Sequence, residues 1–314
     1  MQEVSWPPVA VLGAGAVGCY FGGMLARAGA PVTLIGRAHH VEAMARDGLL
    51  LENARFRQRI PVAASTDVGA ARGAGVVLLC VKAPDTEEAA RALVPHLSAG
   101  AIVVSLQNGV DNVERVRAVA DVDVIPAVVY VGAEMTAPGC VRHTARGDLI
   151  IGDLPRRDAG DESRRRRLAD LAALFVLAGA PCLVSDDVQA DLWMKLIMNC
   201  SHNAISALGR SRYGRMARHP GVREVMRHVV EEIVAVARAA GVRLPDTDHV
   251  AAAWKLADSM ADTISSTAQD VQRGKRTEID ALNGYVACRG AELGVATPVN
   301  QTLHALVRLL EEAV

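Results

Sequence analysis

The stretch "VAVLGAGAVG", residues 9–18, sets the tightest limit on the fold. Gly13, Gly15 and Gly18 stand in GxGxxG spacing, with an apolar run before them and the helical pattern "AVGCYFGGMLARAG" after them. The spacing by itself is common; its place between a strand and a helix gives it meaning. In such a unit the first glycine permits a tight turn, the second lets a pyrophosphate approach the backbone, and the third lets helix and strand pack closely. The N–H groups of Ala16, Val17 and Gly18 open the helix and, with its dipole, hold phosphates. The competing reading is a tight strand–helix turn that binds nothing.

The residues that follow keep the same rhythm. "PVTLIGR" (31–37), "GVVLLCVKA" (75–83) and "AIVVSLQNG" (101–109) are apolar runs suited to strands covered on both faces, and "DTEEAARALVPHL" between the last two has helical character. This alternation predicts a parallel, doubly wound sheet. Over 124–152 the pattern changes to strands separated by turns at Pro138-Gly139 and Arg146-Gly147-Asp148, which predicts an antiparallel extension. After "PCLVSDD" (181–187) strand signals stop, and helices are expected at 188–207, 220–240, 248–261, 278–293 and 298–312. The chain is 314 residues long, enough for two domains. The expected fold is α/β: a Rossmann-type sheet domain over 1–185 and an all-helical domain over 186–314.

The residue at the end of the second strand selects the dinucleotide. Sites for NAD place Asp or Glu there, bonded to the ribose 2′-hydroxyl. Here the place holds Gly36-Arg37. No carboxylate repels a 2′-phosphate and a guanidinium is available to pair with one, so NADP is the expected cofactor. The alternative is that Arg37 is an ordinary surface arginine.

Bulk properties remove other classes. Net charge is −1, which offers no field for nucleic acid or an anionic membrane. The run Arg164–Arg167 precedes an apolar helical pattern and reads as the solvated start of a surface helix. No apolar run reaches the ~18 residues of a membrane span. The N-terminus lacks the basic and small-residue features of a secretion signal. The six cysteines form no CxxC pair and mostly lie in apolar runs, so buried reduced thiols in a cytoplasmic protein are expected. The nine histidines form no HxxxH or HxH pair, and no metal site is expected.

One helical segment is unusual. "LWMKLIMNCSHNAISAL", residues 192–208, is mostly apolar yet carries Lys195, Asn199 and Asn203 at intervals of four. At about 100° per residue, these three with His202 and Ser206 fall within a roughly 100° arc. A solvated stripe would favour Glu, Arg and Gln, and this one has none. Asn is also poorly suited to helices for solvation alone. The stripe is therefore expected to line a cleft, with His202 read as a hydrogen-bonded core or cleft histidine.

Taken with "VLGAGAVGCYFGGMLARAG", "LLCVKAPDT", "SLQNGVDN", "PGCVRHTARGDLIIGD" and "SSTAQDVQRGKRTEIDALNGYV", this segment resembles the ketopantoate reductases over nearly the whole chain. Lys-x₃-Asn-x₃-Asn followed by "TEID" is the specific part. The resemblance implies a cleft between the two domains and NADPH-dependent reduction of a 2-oxo acid, a small-molecule substrate, to a 2-hydroxy acid. It implies that Lys195 is the general acid, Glu278 a partner of substrate or lysine, Asn199 and Asn203 active-site amides, and Ser266 the holder of the substrate carboxylate. Lys82 and Asn108 match positions beside the nicotinamide. The chemistry suits these types: hydride addition builds negative charge on the ketone oxygen, which a nearby cation stabilises and protonates.

Two positions depart from the family pattern. Tyr213 and Thr263 stand where its best-known members have asparagine, which loosens the assignment to pantoate itself. Two alternatives remain: a β-hydroxyacid or 6-phosphogluconate-type dehydrogenase, and a non-catalytic NADP-binding regulatory protein. A homodimer is compatible with the sequence.

Overall fold

The computed structural model describes residues 6–154 and 162–313. The described residues fall into two compact units, one within the spans 1–107 and 111–188 and the other within 108–110 and 189–314.

The first unit is an α/β sheet domain. Its first half runs β1 (Val9–Leu12), α1 (Ala16–Arg27), β2 (Val32–Ile35), α2 (Ala38–Asp47), β3 (Leu49–Glu52), β4 (Arg57–Ile60), β5 (Ala63–Ser65), β6 (Val76–Leu79) and α3 (Thr86–Leu93). Its second half is β7 (Ile102–Ser105), α4 (Asn112–Val119), β8 (Val124–Ala137), β9 (Cys140–Gly152), α5 (Glu162–Leu177) and β10 (Cys182–Ser185). Strand order is β4-β3-β9-β8-β7-β6-β1-β2-β5, with β10 beside β9. β5, β2, β1, β6, β7 and β8 are mutually parallel. All four residues of β1 and of β6 are buried, as helices on both faces require. β1 lies between β2 and β6, so the chain winds outward in both directions from it and its carboxyl end is the topological switch point.

The antiparallel extension is the long β8–β9 hairpin, turned at Pro138-Gly139. The second turn expected, at Arg146-Gly147-Asp148, is a bulge inside β9 instead. Tyr130 pairs with Asp148 and Val131 with Arg146, so Gly147 is the extra residue. Its φ of +122° is one that glycine alone adopts readily, and Arg146 also has positive φ. The β3–β4 hairpin escaped the sequence reading: "RQRI" has three exposed residues and little strand pattern. It is held by pairing with β9 through β3.

The arginine run opens α5 as expected, but Arg164 is not simply solvated. Its guanidinium pairs with Asp123 at 2.6 Å and with Asp153. Arg165 to Arg167 are exposed.

The second unit is helical: α6 (Val188–Leu208), α7 (Tyr213–Arg218), α8 (Pro220–Ala239), α9 (His249–Ser259), α10 (Ser266–Gln272), α11 (Asn283–Leu293) and α12 (Pro298–Glu312). α8 buries Met226, Val229, Val230, Ile233 and Ala237, spaced three and four apart, against Trp193, Ile197 and Cys200 of α6. The Glu232 carboxylate accepts from the N–H groups of Val299 and Asn300, closing the start of α12 from across the bundle. The single helix expected over 278–293 is broken: Ile279–Ala281 form a 3-10 turn, and α11 begins only at Asn283. α7 and α10 are too short to show a periodicity in the sequence. No helix among the described residues is long and apolar enough to cross a membrane.

Candidate functional site

In the sheet unit the predicted cofactor residues gather at the carboxyl ends of β1, β2 and β6. The N–H groups of Gly13 and Ala14 both donate to Ile35 O at 2.9 Å, which seats the glycine turn against the end of β2. Gly13 has φ +110°, and a Cβ there would stand 2.5 Å from the Cys80 carbonyl carbon. A Cβ at Gly18 would stand 2.2 Å from Gly13 O. Both glycines are thus demanded by packing. Gly15 is not: a Cβ there meets no protein atom within 4 Å. Packing inside the chain does not require glycine at this helix start, whereas a phosphate close to the backbone does. The first-turn N–H groups of Ala16, Val17 and Gly18 lack intrahelical partners, as at any helix start. These residues fit a dinucleotide pyrophosphate.

Arg37 caps α2 at the end of β2, is exposed, and makes no ion pair among the described residues. At Gly36 a Cβ would stand 2.6 Å from Ala14 Cβ. An acidic side chain is therefore excluded at position 36 by the glycine loop itself, and Arg37 is the first side chain available there.

Lys82 opens a 3-10 turn (Ala83–Asp85) after β6 and is half-buried. A buried network that the sequence did not reveal holds this turn. Gln107 Nε2 donates to Val81 O at 3.1 Å and to Thr86 Oγ1 at 2.7 Å. Thr86 Oγ1 lies 2.8 Å from Ala83 O and 3.2 Å from Asn112 Oδ1. Ser105 Oγ donates to Gln107 Oε1 at 3.0 Å. The carbonyls on either side of Lys82 are thereby both fixed. The one available signal was Gln107 inside an apolar strand end, where a buried amide needs partners.

The helical unit gathers the rest. Asn108, expected with the sheet domain, belongs to the helical unit: residues 108–110 leave the sheet and Val110 packs on the helical core. Asn108 Nδ2 donates to Glu278 Oε2 at 2.8 Å, joining residues 170 positions apart. Glu278 is half-buried and precedes the 3-10 turn of 279–281. Asn283, just beyond that turn, donates to Cys200 O at 3.3 Å and to Asn300 Oδ1 at 3.0 Å, fastening the Glu278 segment to α6.

The polar stripe of α6 divides in two. Lys195 and Asn199 are half-buried. His202, Asn203 and Ser206 are buried, and His202 and Ser206 serve as fasteners. His202 Nδ1 lies 2.7 Å from Met198 O and its Nε2 3.1 Å from Ala253 O on α9, and burial lowers its pKa. Ser206 Oγ donates to Ser211 O at 2.8 Å and accepts from the Ser265 N–H at 3.2 Å. Asn203 O accepts from Ser265 Oγ at 3.0 Å, and Asn203 Oδ1 accepts from the Tyr213 hydroxyl at 3.2 Å. Ser265 is buried and caps α10; Ser266, the predicted carboxylate holder, is the exposed residue after it.

Residues 9–156 match the family model described as ketopantoate reductase PanE/ApbA, and residues 187–311 match its C-terminal counterpart. This chain belongs to the ketopantoate reductase family.

A curated 2-dehydropantoate 2-reductase of Halobacterium salinarum is 35% identical over 306 residues, covering 96% of this chain and 98% of that one. The crystal structure of a PanE/ApbA family ketopantoate reductase from Ralstonia eutropha JMP134 has 51% identity and a TM-score of 0.89, covering 98% of this chain and 99% of that one. D-mandelate dehydrogenase, solved with NADH and anilino(oxo)acetate, shares the fold at 22% identity and a TM-score of 0.90, with 98% of each chain covered. The ketopantoate reductases are oxidoreductases that use a nicotinamide cofactor, and the glycine loop of this member is built to receive one.

Proposed function

We propose that this ketopantoate reductase family member reduces the C2 ketone of 2-dehydropantoate, or of a related 2-oxo acid, to the (R)-hydroxy acid with NADPH. The carrying observation is the tie between Asn108 and Glu278 in the unit whose α6 also bears Lys195, Asn199 and Asn203. A paired carboxylate, a lysine and two amides on a fixed helix answer the needs of an anionic keto acid.

NADPH is favoured by Arg37, which stands where a 2′-phosphate binds, and by the exclusion of an acidic side chain at Gly36. When bound, the nicotinamide supplies hydride to the ketone carbon. Lys195 then neutralises the oxygen that gains charge and gives it a proton. Asn199 and Asn203 orient the substrate without adding charge. Glu278, held by Asn108, balances the lysine. Lys82 serves the cofactor from the end of β6, and Ser266 meets the substrate carboxylate. A cytoplasmic homodimer completes the reading.

Lys195→Ala tests it. Loss of the acid is expected to lower kcat by at least ~10² while NADPH binding stays within about twofold. Near-normal kcat for this variant, measured by NADPH oxidation with a panel of 2-oxo acids, would remove Lys195 from the mechanism.

A further inference from the structure

In the proposed reductase Asn203 is one of the active-site amides, and its side chain is held at one end. A side-chain carboxamide has an acceptor end and a donor end, and whatever binds one end decides what the other offers. Tyr213 is 7% exposed, and its phenol oxygen lies 3.2 Å from Asn203 Oδ1. A buried phenol needs an acceptor for its proton. Tyr213 makes no other side-chain hydrogen bond among the described residues. With the carboxamide turned over, the phenol proton would face an NH2 group and have no acceptor. Oδ1 therefore faces Tyr213.

The rest of the surroundings lock that choice. The Tyr213 ring packs on the His202 ring at 4.8 Å between centroids, and His202 is itself bonded to α9 through Ala253 O. The Tyr213 N–H donates to Thr263 O at 3.0 Å, so the two positions that depart from the family pattern are directly joined. The Asn203 backbone carbonyl is taken by Ser265. What remains is Asn203 Nδ2. It has no protein partner among the described residues, and it is not among the side-chain atoms sealed from solvent without one. It sits on the α6 face that carries Asn199 and Lys195 one and two turns earlier.

We propose that Tyr213 is a positioning residue: it holds the Asn203 carboxamide so that its NH2 group donates to an oxygen of the 2-oxo acid. The proposal rests on the reductase reading and adds to it the polarity of one substrate contact, an acceptor oxygen of the substrate carboxylate or ketone against Asn203. Burial raises the Tyr213 pKa, so the phenol keeps its proton and remains a donor across the working range.

The test is a double-mutant cycle on the full chain with 2-dehydropantoate and NADPH. Tyr213→Phe keeps the ring and removes only the hydroxyl. It is expected to raise the KM for the 2-oxo acid about fivefold, as for one neutral hydrogen bond. It should change kcat less than twofold and leave NADPH affinity unaltered, while Tm falls by a few degrees because Asn203 Oδ1 loses its donor. In an Asn203→Ala background the same substitution is expected to leave KM unmoved. Asn203→Asp supplies a second variant: it keeps an acceptor for the phenol and deletes the donor, so it should raise KM at least as much as Asn203→Ala. An unchanged KM in Tyr213→Phe, an equal increment in both backgrounds, or a normal KM in Asn203→Asp would each overturn the proposal. Absence of wild-type turnover with every 2-oxo acid would overturn the reductase reading itself, and this proposal with it.

Discussion

Arg37 owes its position to a neighbour. The glycine loop presses Ala14 against Gly36, so a side chain at position 36 would collide with it, and Arg37 is the first side chain available there; in the proposed reading it carries the charge that meets the 2′-phosphate. Changing Arg37 to Asp reverses that charge without entering the packed turn, since Arg37 is exposed. The ratio of kcat/KM for NADPH to that for NADH should fall at least tenfold, as loss of one charge-assisted pair and gain of repulsion predict, each about 1.5–3 kcal/mol at most. An unaltered ratio, from initial rates with both cofactors, would show that another residue reads the 2′-position. At this scale the sequence was informative wherever a residue's chemistry is local. It singled out Gly13 and Gly18, which the packing demands, from their spacing between a strand and a helix. It did not show that Gln107 and Thr86 clamp the carbonyls flanking Lys82, because those partners meet only when β6, β7, α3 and α4 come together.

α6 divides its faces between the core and a polar stripe. Its apolar faces fill the helical core, its first two stripe residues are half-buried, and its later ones are spent on neighbours. His202 is one of these ties, to Ala253 O on α9, and burial holds its pKa below the ordinary 6.5. The sign follows from linkage. The unfolded chain binds the proton more readily, so His202 favours the native state above about pH 6.5, and that contribution is lost as pH falls through the depressed native pKa. Chemical unfolding between pH 8 and pH 5 should show stability declining on the acid side. His202→Gln, which cannot charge, should show a shallower decline although its stability at pH 8 is lower. A slope identical in both proteins would mean that other groups carry the acid response. The periodicity of α6 and α8 was legible from sequence. The break at Leu282 was not, since "TEIDALNGYV" has helical spacing throughout and only Asn283's bonds to Cys200 and Asn300 fix where α11 starts.

Across the whole molecule, thiol reactivity reports how completely the two cores close. Cys19 and Cys200 are buried in different units, and Cys182 is buried beneath α5. Burial pushes the Cys19 and Cys182 thiols up to about 12 and raises Cys80 and Cys200 as well. A buried thiol that keeps its proton does not alkylate. The expectation of buried thiols therefore holds for Cys19, Cys182 and Cys200, but not for Cys288, which is exposed on α11, and only partly for Cys80 and Cys140. Iodoacetamide on the native protein should add a single group quickly, mapped by mass spectrometry to Cys288. All six cysteines should react in denaturant. Rapid native labelling of Cys19 or Cys200 would mean that the corresponding core opens readily.

The sequence by itself determined the class of each unit, the glycine loop, the antiparallel extension and the polar face of α6. All of these rest on short-range rules: two-residue and 3.6-residue periods, and glycine where a side chain would collide. Only the tertiary structure decided that Asn108 leaves the sheet unit to bind Glu278, that Gly147 makes a bulge and not a turn, and that the Tyr213 hydroxyl donates to Asn203 Oδ1. The reason is physical. A buried polar group must find a partner, and the partner's place is set by how whole elements pack, which spacing along the chain does not encode.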